Sequence, residues 1–383
     1  MRGRLARPKS LRQENADSAI IEVKTVTWSK DSHGLFDYEN PEYEMSKFKF
    51  LHPAIFYRHN NEIKMCAKAE RPSSFSQGNG VLSISQDPSS PQNFFIDVPG
   101  DFGGQRGPLS QYLIVRSLKS RDNKTQRGLP LCPGQVVKLG RVEYRVLEVC
   151  SRAGEASQAV QYSLYQQDSV FDVASQNQRA DGKEPLCRFC YSDCLGDVPA
   201  VDNLMLYMCD CKGSAGGIHF ACLRTWINYK IVSKNQFMNI TSYKWKKLEC
   251  DICKRPYPRK IAFDGEVYEF LAVQKPAKPY IIIEKLVPEV NFSSDISIIS
   301  LEDQQEVKLG RGHLCDLRVS DISVSRFHAY IRFMEGNFVL FDNNSKFGSL
   351  VLLDKSYPIS AEKAAVQIGR TVFTFVLKQG SET

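Results

Sequence analysis

The chain has 383 residues, with 50 Lys+Arg against 43 Asp+Glu, six His and twelve Cys. At roughly 100–200 residues per domain, that length supports two to three domains, and a hydrophobic content of 42% excludes a chain disordered throughout. The formal charge of +7 is too small to argue by itself for nucleic acid, and the longest apolar runs fall far short of a membrane span.

Residues 1–45 are polar and read as a tail. The opening MRGRLARPKSLRQ carries five cations, no acid and no apolar core, which disfavours secretion. A solvated basic tail is the preferred reading, with a transit peptide as the alternative. A cytoplasmic or nuclear compartment follows, where cysteine clusters signal metal binding or catalysis rather than disulfides.

From 46 to 150, short β-like runs alternate with Gly, Pro, Ser and Asn: Ala54–Tyr57, Val81–Ile84, Asn93–Val98, Tyr112–Ser117, Val136–Leu139 and Tyr144–Val149. This spacing suggests an all-β sandwich. Residues 151–183 are rich in Ser, Gln and Ala and read as a linker. After the cysteine-rich stretch, 278–380 returns to short β-like runs and suggests a second sandwich.

A short internal repeat relates the two β regions. Val137-Lys-Leu-Gly-Arg-Val-Glu-Tyr-Arg-Val146 matches Val366-Gln-Ile-Gly-Arg-Thr-Val-Phe-Thr-Phe375 as strand, tight turn, strand. Each copy is expected to close its own sandwich; the alternative is a chance similarity of hairpins. Val137–Arg141 also matches Val307–Arg311, but the closing-hairpin alignment is preferred because Tyr144 and Val146 continue the strand.

The cysteines run Cys187-x2-Cys190-x18-Cys209-x1-Cys211-x7-His219-x2-Cys222-x27-Cys250-x2-Cys253. Structural zinc takes four tetrahedral N or S ligands, so eight ligands in four close pairs suffice for two ions. A tight turn supplies half of each site and tertiary folding the other half, which couples zinc binding to folding. Free buried cysteines would leave the pairing unexplained.

This order, with one residue inside the second pair and seven before the His, resembles the RING-CH (RING-variant) zinc domain. Cys209-Asp-Cys211-Lys-Gly-Ser214, His219-Phe-Ala-Cys222-Leu-Arg-Thr-Trp226 and Cys250-Asp-Ile-Cys253-Lys254 support it. A PHD finger shares the ligand order but fits the spacing poorly. The resemblance implies a cross-brace: Cys187, Cys190, His219 and Cys222 on one zinc, Cys209, Cys211, Cys250 and Cys253 on the other. It also implies a RING-type ubiquitin-protein ligase, which positions a charged conjugating enzyme and needs no nucleophile of its own. Phe189 and Trp226 then fall at the enzyme-docking positions, with core packing the alternative for Trp226. Lys254 falls where such ligases often carry a bridging cation, with a solvated lysine the alternative. The x27 segment is long for the family and is expected to protrude as a basic loop, Lys230–Lys247. Cys194 is a ninth candidate ligand, read as a bystander.

The last region contains Leu309-Gly-Arg-Gly312, Ser325-Arg-Phe-His328 and Asp342-Asn-Asn-Ser-Lys-Phe-Gly-Ser349, each between β-like runs and therefore on loops. Arg, Ser and Lys gathered from such loops offer several charge-assisted donors to a phosphate. The strings together resemble a forkhead-associated (FHA) domain, a phosphothreonine reader. The resemblance implies phosphate contacts from Arg311, Ser325, Arg326 and Lys346, an orienting role for His328, and turns at Gly310 and Gly348. Phe347 stands where the family usually has Asn, and Ser349 replaces the common Thr. The N-terminal β region has no S-R-x-H string; if it is FHA-like, it is degenerate and phosphate-blind.

The expected fold is multidomain and mainly β: an N-terminal FHA-like sandwich (46–150), a cross-brace two-zinc RING-CH domain (184–260) and a C-terminal FHA sandwich (278–380). The expected function is a ligase that recruits threonine-phosphorylated proteins; the rival is a non-catalytic, zinc-dependent phosphoprotein scaffold. The expected partners are a ubiquitin-conjugating enzyme and a phosphothreonine protein. Neither a membrane nor nucleic acid is expected, since the basic stretch lacks aromatic–basic alternation.

Overall fold

A computed structural model describes residues 20–378, except 29–34, 36–39, 61, 71–79, 99–109, 119–125, 152–157, 160–169, 176–185, 238, 247, 272, 287–292 and 361. The described chain is mainly β, with a single α-helix among the described residues, Phe220–Tyr229. It divides into two compact units. The first comprises Met1–Leu131, Gln135–Val142 and Glu306–Thr383; the second comprises Cys132–Gly134 and Glu143–Gln305.

The first unit begins with a strand inside the expected tail. Ile20–Trp28 reads IIEVKTVTW, and its alternation turns Ile21, Val23 and Thr25 inward. It pairs antiparallel with Tyr43–Phe50 and, on its other edge, with Thr371–Lys378, placing Val23 opposite Phe375. The tail reading therefore fails from Ile20 onward: the period-two pattern is present but partly polar, with threonines on the buried face. The rest of the expected tail, 1–19, and most of the expected linker lie outside the described residues.

The strands of this unit do not sort by chain half. One run of pairing passes from Val136–Leu139 through Ser349–Leu352, Gln111–Ile114, Ala364–Ile368 and Thr371–Lys378 to Ile20–Trp28 and Tyr43–Phe50. A five-stranded sheet of Glu62–Ala67, Ala54–His59, Gly80–Asp87 and Ser90–Ile96 is completed by Tyr357–Ile359. A second, of Leu317–Arg318, Glu306–Gly310, Ala329–Met334 and Asn337–Asp342, is completed by Leu129–Pro130, with Leu129 opposite Leu340. Each half thus supplies strands that finish the sheets of the other.

The core shows the same exchange. Ile21, Phe56, Leu82, Phe94 and Leu113 share one buried cluster with Val366, Phe373 and Phe375, and Phe56 meets Phe373 edge-on at 5.5 Å between ring centroids. The expected division at 46–150 and 278–380 is therefore corrected. The hairpin 364–378 closes onto Ile20–Trp28 and Gln111–Ile114, while Val136–Leu139 lies beside Ser349–Leu352. The repeat marks two hairpins of one pattern, and one pattern fits either acceptor edge.

The second unit contains a run of five paired strands. The strand ending at Cys150 pairs with Tyr280–Leu286, which pairs with Ser293–Ser300, then Ile240–Lys246, then Val232–Phe237. Strands 280–300, expected in the C-terminal sandwich, thus belong to the zinc unit. The stretch 230–247 is not a protruding loop but a hairpin whose second strand sits in this sheet, Tyr243 opposite Ile296. Tyr243 and Trp245 are buried with Cys187, Cys209, Cys250, Phe220, Leu223, Ile227, Ile282 and Ile298. One core therefore serves both the metal-ligating loops and the sheet.

Candidate zinc centres and phosphate-binding loops

The eight spaced ligands gather into two sets of four, Cys187/Cys190/His219/Cys222 and Cys209/Cys211/Cys250/Cys253, with all donor atoms of a set within 4.8 Å of one another. Both C-x2-C pairs use the same local turn. Tyr191 N–H donates to the Cys187 carbonyl and Lys254 N–H to the Cys250 carbonyl, and Tyr191 and Lys254 both adopt positive φ, 59° and 61°. The helix Phe220–Tyr229 follows His219 directly and carries Cys222 in its first turn.

His219 aims Nδ1 at the sulfurs, 3.4 Å from Cys190 and 3.9 Å from Cys222, while Nε2 donates to the Asp193 carbonyl at 3.1 Å. That second bond fixes the tautomer a metal-ligating imidazole needs. Against the cost of burial, the Cys253 backbone N–H and the Arg188 guanidinium hold the Cys250 thiol down to about 5. Burial and neighbouring thiols push Cys211 and Cys222 up to about 12. Four such sulfurs cannot all ionise together without a cation among them. Seven sulfurs and one imidazole are the donor set of structural zinc, and the two sets fit two zinc ions.

Arg188 was not foreseen from sequence. Its Nη1 lies 3.3 Å from Cys250 Sγ and its Nη2 donates to Tyr257 Oη at 2.7 Å. It sits between two ligands of one set and steadies a sulfur of the other. Only its place beside Cys187 hinted at this. Cys194 belongs to neither set; its sulfur accepts from Asn203 Nδ2 and Gly196 N–H.

Phe220, Leu223 and Ile227 of the helix are buried, and Trp226 is left half-buried on another face. Phe189 stacks on Trp226 at 5.8 Å and 27°, and Tyr257 meets its edge at 6.2 Å. Tyr191 and Ile252, on the two zinc turns, are 78% and 63% exposed. Lys230 Nζ lies 3.4 Å from the Trp226 ring centroid and pairs with Asp251 at 3.1 Å. The Lys254 side chain is exposed.

In the first unit the three polar strings also converge. Arg311 N–H donates to the Ser325 carbonyl at 3.1 Å and Gly312 N–H to the Arg326 carbonyl at 2.9 Å. Ser325 Oγ accepts from Lys346 N–H at 3.2 Å. A Cβ at Gly310 would run into the Arg326 carbonyl, so only glycine permits this approach. Buried His328 ties the loops from behind: Nδ1 accepts from Ser325 N–H at 3.1 Å and Nε2 donates to the Gly348 carbonyl at 3.2 Å. Burial holds its pKa below the ordinary value, keeping the ring neutral for that paired role. Asp342 accepts from Ser345 and Ser349 and fixes the next turn. The Arg311, Arg326 and Lys346 side chains are exposed, Ser325 and Phe347 half-buried.

Family models match two segments of this chain: a RING-variant domain over residues 187–253 and an FHA domain over residues 307–370. The chain carries both domains. No curated protein matches it. The RING-variant match spans all eight ligands, and the FHA match spans Arg311, Ser325, Arg326, His328 and Lys346. The FHA match leaves out the upstream strands that complete its sheets.

Proposed function

We propose that the protein is a RING-type ubiquitin-protein ligase that recruits threonine-phosphorylated proteins through its FHA loops. The observation that carries the ligase half is the stacked Phe189–Trp226 pair, Phe189 on the first zinc turn and Trp226 on the helix that carries Cys222, with Ile252 exposed on the last zinc turn. An apolar platform on a rigid frame suits docking of a charged conjugating enzyme, whose thioester is then held in a reactive orientation. The zinc ions, held by the two ligand sets, supply rigidity rather than chemistry. Lys254, exposed after the last ligand, is read as the cation that bridges enzyme and ubiquitin.

Support for the reader half is the convergence of Arg311, Ser325, Arg326 and Lys346 on one set of bonded loops. A phosphate dianion gains charge-assisted bonds there that an unmodified threonine lacks. Phe347 offers no amide to the peptide backbone, so flanking-residue preference should depart from the family's. The strands 20–118, finished by 357–378, read as a second, degenerate FHA-like fold with no phosphate role. A ligase for phosphoproteins works in the cytoplasm or nucleus; no helix among the described residues is long and apolar enough to cross a membrane.

Purified-component ubiquitin discharge tests the ligase. Trp226→Ala or Phe189→Ala should slow transfer at least tenfold with zinc content unchanged, and Lys254→Ala should slow it less. No discharge by the intact protein with any conjugating enzyme sinks this reading. One observation favours the scaffold alternative: the Lys230 ammonium already covers a face of Trp226. Lys230→Ala would then fail to alter discharge.

A further inference from the structure

Resting on the reading of the FHA loops as a phosphothreonine site, we propose that this site is composite. Arg116 and the Gly140–Arg141 turn, from the first half of the chain, fix the two loops that present Ser325, Arg326 and Lys346 to the phosphate. All these residues lie in the first compact unit.

The first clamp acts on the loop leading to Ser325. Gly140 has φ +59°, and a Cβ there would strike the Ser323 hydroxyl and carbonyl. The turn thus approaches the loop as closely as only glycine allows. Arg141 N–H donates to Ser323 Oγ at 2.9 Å, 182 positions along the chain. Buried Ser323 in turn donates its hydroxyl to Asp321 Oδ1 at 2.5 Å, and its own N–H bonds the same oxygen at 2.8 Å. The Arg141 guanidinium reaches Asp321 at 3.4 Å, but that pair is solvated and adds little. The bond to Ser323 is the firm one, two residues before Ser325.

The second clamp acts on the loop of Lys346. Arg116 Nη1 donates to the Ser345 carbonyl at 3.1 Å, 229 positions away. A guanidinium bond to a carbonyl is charge-assisted and holds the peptide plane from which Lys346 N–H departs. That N–H donates to Ser325 Oγ, so the two clamped loops meet at Ser325. The exchange of strands delivers both clamps: Arg116 lies in the turn Val115–Ser117 just after the Gln111–Ile114 strand beside Ser349–Leu352, and Gly140 directly follows Val136–Leu139 on that strand's other edge.

The test uses the full-length, zinc-loaded protein. Fluorescence anisotropy measures binding of a library-selected phosphothreonine peptide and its unphosphorylated twin, and amide hydrogen exchange reports on 321–328 and 344–348. Arg116→Met should weaken phosphopeptide binding about three- to tenfold, the scale of one hydrogen bond, and speed exchange in 344–348. Arg116→Lys, which can still donate to the carbonyl, should recover both. Gly140→Ala should speed exchange in 321–328 and weaken binding similarly. Unchanged exchange in both loops overturns the clamps whatever the peptide does, and faster exchange with unchanged affinity overturns their positioning role. Wild-type binding that ignores phosphate, or is indifferent to Arg311→Ala, instead refutes the reader reading, and the exchange data still judge the clamps.

Discussion

In the zinc unit, two cysteines three positions apart already occupy two corners of a tetrahedron. In the sandwich unit, an alternating strand specifies a buried face but no neighbour. The first kind of signal is local and nearly complete: four close pairs leave few ways to share two ions, and the observed sets are the cross-braced ones. The second is degenerate. The hairpins at 137–146 and 366–375 share a pattern, and the 366–375 copy closes onto a strand from the opposite end of the chain, Ile20–Trp28. Metal geometry discriminates between partners; β-pattern by itself does not.

The sharpest way to break this contrast is to cut the chain. A fragment 278–383 contains the whole FHA match but lacks the Gln111–Ile114, Leu129–Pro130, Val136–Leu139 and Ile20–Trp28 partners. It should show collapsed amide dispersion in a two-dimensional NMR spectrum and no cooperative melt. A folded, phosphopeptide-binding fragment would mean that the 364–378 hairpin closes its own sandwich, and the exchange would fall.

Zinc removal probes the other side. Chelation should unfold the second unit, whose ligands and sheet share one core, because site assembly and folding are a single free energy of about 10–16 kcal/mol in zinc-finger peptides. Near-ultraviolet dichroism from Trp226 and Trp245 reports the loss. A second thermal transition, from the first unit, should persist; a single merged transition would contradict two separately cored units.

Next in size is Phe373→Ala. Phe373 is fully buried and meets Phe56, so its truncation should cost about 3–5 kcal/mol. Hydrogen exchange should rise in Ala54–His59 and Gly80–Asp87, which are distant in sequence but share its core. Exchange confined to 357–378 would argue against the shared core.

The smallest effect is that of pH on the FHA loops. The folded pKa of His328 lies below 6.5, through burial that the Asp342 charge only partly opposes. The unfolded chain therefore takes the proton first. Stability from the neutral ring is intact above pH 6.5 and is lost as pH falls below it toward the folded pKa. Protection of the Ser325 amide, corrected for the intrinsic exchange rate, should fall as pH drops below 6.5, and His328→Asn should flatten that dependence.

The zinc-ligand sets and the strings of the FHA loops were legible beforehand for one reason: their residues recur at short, chemically dictated spacing. The zinc ligands, Arg311, Ser325, Arg326, His328 and Lys346 all lie in such strings. Arg188, Arg116 and Arg141 did not stand out, since each acts on a partner 62, 229 or 182 positions away. Within 1–45, the strand at Ile20–Trp28 was hidden by buried threonines, which blur the apolar alternation.

The sequence by itself determined which residues gather into the two zinc-ligand sets, which strings form the FHA loops and where about half of the strands lie, because ligand chemistry and side-chain alternation are written in neighbouring positions. Only the tertiary structure decided which strand lies beside which. That choice turns on the complementarity of whole edges and faces, Val23 against Phe375 or Leu113 against Val351, and no stretch of a few residues contains it.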